Sequence, residues 1–228
     1  MAHHSSLPPV FLAVIAFQFL LLFAATSAFP TTTVAPTVAG AAAATTSPIS
    51  VYDQYDLLLH DTNALFTQFQ AVYLSFKTQR FEQTDVMAPE LVINGFLTTR
   101  DLPSTHTEQV SEEELLQTHQ QFLRTYERVL ESLIDQENIV VGGDSTFVDD
   151  YTQIVHTLNR LLVKIDGLMQ HQDIENGPAP TFTSLDWLPG NTQVHNVRSL
   201  YLLHNVYNYI PASMQHYSYL KMQHTPSL

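Results

Sequence analysis

The chain contains no cysteine, which excludes disulfides, thiolate zinc sites and thiol nucleophiles. Export remains compatible with that absence. Small secreted domains lean on disulfides, whereas a helical core of about 170 residues does not need them. Positive charge is scarce: 9 Lys and Arg against 22 Asp and Glu leave a net charge of −13 at pH 7. A surface this acidic is repelled by nucleic acid and anionic membranes, so neither is expected as a partner. No Asn-x-Ser/Thr triplet occurs, and N-glycosylation is not expected. Beyond the first 28 residues no apolar run approaches the roughly 20 residues of a membrane-spanning helix. Tryptophan occurs once, at Trp187.

The amino terminus reads as a cleavable export signal covering 1–28. Val10 to Phe23 is apolar apart from Gln18, and small residues follow at Ala24 to Ala28. Cleavage after Ala28 leaves Thr26 and Ala28 at the two small-residue positions. Residues 29–49 are rich in Pro, Thr, Ala and Ser without a period, the composition of a disordered stalk and a candidate for O-glycosylation. The folded domain is expected over 50–222, with a short tail at 223–228. The mature chain is expected outside the cell as a monomer.

Four long amphipathic stretches follow. The first, about Ser50 to Gln79, has no Gly or Pro and places Tyr55, Leu58, Thr62, Leu65, Phe69, Val72 and Phe76 on one helical stripe. The second opens on Ser111 and Glu114, a capping-box pair, and carries Leu115, Phe122, Tyr126, Val129, Leu130, Leu133 and Ile134. Glu112 to Glu114 lie in its first turn, where the helix dipole favours negative charge. The third starts after Gly142-Gly143-Asp144, with Phe147, Tyr151, Ile154, Leu158, Leu161, Ile165 and Leu168 in step. The fourth covers about Thr192 to Met222, with Val197, Leu200, Leu203, Tyr207, Ile210, Met214 and Tyr217 in register. Pro211 lies inside it and predicts a kink or a break, at roughly 3 kcal/mol.

The gaps are long, short and long. The middle one, Asn138 to Asp144, reaches at most roughly 25 Å, less than the roughly 40 Å of a 27-residue helix. The second and third helices must therefore be antiparallel neighbours. The outer gaps, Arg80 to Val110 and His171 to Asn191, can each run the bundle's length. The expected fold is all-α, an up-up-down-down four-helix bundle with two long crossover loops.

Two segments add a resemblance. SEEELLQTHQQFLRTYERVLESLIDQENIVV and DDYTQIVHTLNRLLVKIDGLM resemble the second and third helices of the ciliary neurotrophic factor branch of the interleukin-6 family of helical cytokines. The matches include Glu114, Leu116, Gln117, Asp135 and Gln136, then Ile154, His156, Thr157, Leu158 and the turn Asp166 to Met169. The resemblance implies a non-enzymatic signalling ligand that brings together receptor chains of the glycoprotein-130 and leukaemia inhibitory factor receptor type, with or without a ligand-specific chain, and so starts JAK-STAT signalling. It implies no cofactor. Members using the leukaemia inhibitory factor receptor carry Phe-x-x-Lys at the start of the fourth helix. Here that stretch is Gln193-Val194-His195-Asn196.

By the resemblance, three faces are candidate receptor contacts. One is the exposed surface of the first and third helices, with Arg160 and Lys164. A second is the C-terminal half of the fourth helix, with Tyr217 and Tyr219. The third is the start of the fourth helix, with Trp187, Gln193 and Asn196. Each has a plainer alternative. Trp187 can pin a loop, the tyrosines can line a wet-edged core, and Arg124, Arg128, Arg160 and Lys164 can pair with Glu127, Glu131 and Asp166 on a solvated face. The histidines lack helical metal-ligand spacing, although His119 and His156 could meet across the second and third helices. Asp149-Asp150 and Glu112 to Glu114 are explained by helix dipoles rather than acid–base catalysis. A secreted lipid carrier is the alternative from another class, although basic residues flanking its apolar faces would be expected.

Overall fold

Ser50, Ser111 and Asn191 each accept a hydrogen bond at the side-chain oxygen from the backbone N–H three residues on, at 3.0 to 3.1 Å, and a long helix follows each. These helices are α1 (Val51–Phe81), α2 (Glu112–Val140) and α4 (Thr192–Gln223). Ser145 precedes α3 (Thr146–His171) but gives its hydroxyl to Glu137 instead. The computed structural model describes residues 49–104, 110–142, 145–182 and 191–226. The expected signal peptide, nearly all of the stalk, Gly143, Asp144 and Trp187 lie outside them. Among the described residues there is no strand, and no helix is long and apolar enough to cross a membrane. The described residues all fall within one compact unit, Ser47–Leu228.

The four helices form a bundle in which α1 packs on α3 and α4, and α2 also packs on α3 and α4. Every expected stripe residue of α1 and α3 is buried. In α2 only Ile134 of the stripe is half-buried. Aromatic rings join the layers: Phe76 meets Phe147 edge-on at 5.3 Å, and Phe122 stacks on Tyr209 at 4.9 Å. Burying each such ring contributes roughly 1.5–3 kcal/mol.

Helix α4 differs from the single stripe expected of it. It buries two faces, so Leu202, Val206, Tyr209, Ser213 and Leu220 are inside together with Leu200, Leu203, Ile210 and Tyr217. Val197, Tyr207 and Met214, expected in the core, are only partly buried. Of the kink or break expected at Pro211, the break does not occur: one helix runs through it. Apolar packing on both sides of Pro211 outweighs the lost hydrogen bond, and Ser213 donates its hydroxyl to the Ile210 carbonyl at 2.8 Å.

Interactions at the helix ends sort into two sets. At one end Glu112, the first residue of α2, accepts from the Tyr55 hydroxyl near the start of α1 and from Gln172 just past α3, and bonds His224 just past α4. At the other end Glu137, late in α2, accepts from Arg80 at the end of α1 and from Ser145 before α3, and bonds His195 near the start of α4. The two α1–α2 pairs, Tyr55–Glu112 and Arg80–Glu137, have the same sequence separation of 57 residues.

The two long connections lie over α2 and α4. In the segment before α2, Phe96 is buried against Tyr126 and Tyr201, and the Tyr126 hydroxyl donates to the Leu97 carbonyl. In the segment after α3, Glu175 is tied to Gln117, Gly177 to Gln120 and the Phe182 carbonyl to Arg128. These contacts advance along α2. The connections touch where Gly95, at φ +72°, would place a Cβ only 2.7 Å from the Phe182 nitrogen. Only glycine fits that conformation and that approach.

Candidate functional site

The α1/α3 face is built on a polar ladder. Gln54–His171, Asp61–Lys164 and Gln68–Thr157 succeed one another seven residues on along α1 and seven back along α3. Seven residues are nearly two helical turns, so all three pairs share one side of the seam. Lys164 sits 2.6 Å from Asp61. Partial burial pushes the Asp61 carboxyl up. Hydrogen bonds from Lys164 and His60, with the charges of Lys164 and Arg160, outweigh that and hold it below its usual range. Beside this pair Asp61, His156, Asn159, Arg160, Val163 and Lys164 line a shallow groove of about 560 Å³. Val163 is 70% exposed there. The groove therefore combines an exposed apolar side chain with the basic Arg160 and Lys164, on a chain that is acidic overall.

A second groove, of about 840 Å³, runs between α1 and α4 and is lined by Asn63, Phe66, Pro211, Met214, Gln215, Ser218, Tyr219 and Met222. Pro211, which presents no N–H, sits in its wall. At one edge Lys221 pairs with Asp56 and lies over the Tyr52 ring.

The sequence-predicted contact residues divide. Arg160 and Gln193 are exposed, while Lys164 and Tyr219 are partly exposed. Asn196 and Tyr217 are corrected: Asn196 is 8% and Tyr217 1% exposed, because Tyr217 stands on the apolar stripe itself and Asn196 lies one turn before Leu200 on the same side of α4. Tyr217 packs its ring 4.7 Å from His119. Trp187 lies outside the described residues. Arg124 pairs with Asp166 as the solvated-face alternative expects, at 3.8 Å. Arg128 instead binds the Phe182 carbonyl, and Lys164 crosses to α1. His119 does not meet His156, which is exposed; it meets His216 of α4.

Sequence reasoning missed the buried polar groups. Glu137 is fully buried, with Arg80 at 2.7 Å and His195 at 3.0 Å. Burial pushes its carboxyl up, but the hydrogen bonds from His195 and Ser145 and the Arg80 charge prevail and hold it low. At the opposite hub, burial and the Glu112 carboxylate raise the Tyr55 hydroxyl far above its ordinary value. Tyr151, stacked on Phe147, is likewise pushed up, by burial first and then by Glu137. The available signal was a polar residue standing where the apolar stripe continues: His119 before Phe122 and Tyr126, Glu137 after Leu130 and Leu133. Among the described residues no group of three or more His, Cys, Asp or Glu could hold a metal ion.

No protein-family model matches this sequence, and no curated protein gives a significant match to it.

Proposed function

We propose that the chain is a secreted helical cytokine of the interleukin-6 type, an up-up-down-down bundle that acts by bringing receptor chains together. The observation that carries the reading is which helix ends meet. Glu112 gathers the starts of α1 and α2 with the ends of α3 and α4, and Glu137 gathers the opposite ends. An equal separation of 57 residues at both ends is what parallel α1 and α2 require. Two parallel successive helices need a crossover as long as the bundle, and cytokine bundles have two such crossovers.

On this reading the α1/α3 groove around Arg160, Val163 and Lys164 receives the shared glycoprotein-130 chain. Its exposed Val163 beside the charged Arg160 and Lys164 offers the mix of apolar area and arginine that protein interfaces use. Tyr219 on the C-terminal half of α4 and Gln193 with Trp187 near its start supply the two further contacts. The chain works as a monomer, without a cofactor, outside the cell, and the clustered receptors start JAK-STAT signalling.

The groove between α1 and α4 favours a second reading, a carrier of hydrophobic molecules. Binding of the mature chain, from Phe29, to immobilised glycoprotein-130 and leukaemia inhibitory factor receptor ectodomains tests the first reading. Val163→Arg should weaken glycoprotein-130 binding at least tenfold and leave the fold intact, and Trp187→Ala should weaken binding of the other chain. Failure to bind either chain, singly or mixed, together with particle formation on added lipid, favours the carrier.

A further inference from the structure

We propose that His119 and His216 form an acid-operated latch between α2 and the C-terminal half of α4, closed while both rings are neutral. His119 is fully buried and His216 is 6% exposed. His119 meets the Tyr209 hydroxyl through Nδ1 and His216 Nδ1 through Nε2, each at 3.0 Å. Two neutral rings satisfy this chain of bonds, with one N–H between the two nitrogens and the Tyr209 hydroxyl completing His119. Protonating both rings turns every ring nitrogen into a donor. Two N–H groups then oppose each other across 3.0 Å with no acceptor, and two like charges share a dry core.

The surrounding groups do not relieve this. Helix α4 presents Tyr209 and Tyr217, both kept neutral by burial. Helix α1 brings Tyr55 near Tyr217, with its hydroxyl held by Glu112. On α2 itself Glu112 is engaged by Tyr55, Gln172 and His224. On α3 the Asp166 carboxylate is engaged by Gln120 and Arg124 of α2. Among the described residues neither ring is paired with a carboxylate.

Burial lowers both rings below the ordinary 6.5, and at His119 the neighbouring His216 adds to it. The folded value therefore lies below the unfolded one, so this contribution is fully present above pH 6.5 and fades as pH falls below it. With an unfolded value of 6.5, going from pH 7.5 to 5.5 raises the unfolding equilibrium constant by up to about tenfold per ring. For the pair the limit is about a hundredfold. His195 and His224 each contact a carboxylate elsewhere in the bundle, so the test must resolve individual rings. On the cytokine reading, on which only this use of the latch rests, a ligand carried into an acidified vesicle would loosen the part of α4 that bears Tyr219.

The test is an NMR titration of the imidazoles in the mature chain from pH 7.5 to 5, beside urea unfolding of wild type and His216→Gln at pH 7.5 and 5.5. The glutamine amide can keep a bond to His119. The expected result is that both rings stay neutral below pH 6.5 while the fold persists, and that His216→Gln loses close to tenfold of the wild-type pH response. Either ring titrating at or above pH 6.5 in the intact fold overturns the proposal, as does an unchanged pH response in the variant. If the variant does not fold, the wild-type titration decides alone. No receptor is involved, so failure here is distinct from failure of the cytokine reading.

Discussion

Replacing Glu137 with alanine should be among the most damaging single changes to this chain. The carboxylate is fully buried and holds Arg80, Ser145 and His195. Its removal leaves the Arg80 charge, 15% exposed, with the Ser145 hydroxyl at 3.3 Å and the Phe147 ring at 5.2 Å but no carboxylate. The Arg80 Nε and His195 Nδ1 are already buried without a hydrogen-bond partner, so the site has no slack to absorb another loss. Breaking a buried ion pair from one side costs about 3–5 kcal/mol. For a chain of this size that corresponds to a fall in Tm of about 6–20 °C. Urea unfolding at pH 7.5, followed by far-ultraviolet circular dichroism, measures it directly. Glu137→Gln, which keeps volume and hydrogen-bonding capacity but not charge, should fall between the alanine variant and wild type. The wild-type carboxyl is held below its ordinary 4.5, so its contribution is complete above pH 4.5 and lost as pH falls through the folded value. An alanine variant within about 1 kcal/mol of wild type would refute the reasoning, since the hub would then be stabilised no more than a solvent-exposed pair.

Gly95→Ala should destabilise by more than about 2 kcal/mol, the sum of a left-handed alanine and a Cβ driven into the Phe182 backbone. Thermal unfolding compares it with Asn94→Ala as a loop control. Ser111→Ala should cost about 1 kcal/mol through loss of the cap on Glu114, read as a urea midpoint shift with unchanged slope. Lys164→Ala should cost no more than about 1 kcal/mol, because its pair with Asp61 is part-exposed. Its effect on the proposed receptor binding can therefore be measured on a folded protein.

Apolar spacing in α1 and α3 was legible because one stripe carries most of what each buries, with Tyr73, Val155 and Met169 added beside it. Helix α4 defeated that counting. Wedged between α1 and α2, it buries a second stripe, Leu202, Val206, Tyr209, Ser213 and Leu220, that a single period does not name. The helix starts were legible wherever a side chain caps its own helix, as at Ser111. Ser145 looks the same in sequence, yet its hydroxyl serves Glu137. Of the candidate site, Arg160 and Lys164 fall together on one face of α3, as their four-residue spacing requires, but the partner of Lys164 lies on α1. No pattern within one helix specifies a partner on another. Val163 was overlooked for the opposite reason: an isolated exposed valine carries no sequence signal until the groove around it is seen.

The polar ladder between α1 and α3 cannot by itself index the bundle. Slid by one heptad, about 10.5 Å, Asp61 would face His171 and Gln68 would face Lys164, pairings as acceptable as the native ones. The ladder behaves like the fine scale of a vernier, fixing phase and leaving the count ambiguous. Glu112 and Glu137 supply the coarse scale, since a slipped α3 would leave Ser145 and Gln172 away from their carboxylates. Misregistered bundles of this chain should therefore be compact, helical and wrong by whole heptads, and the two hub carboxylates are what remove them.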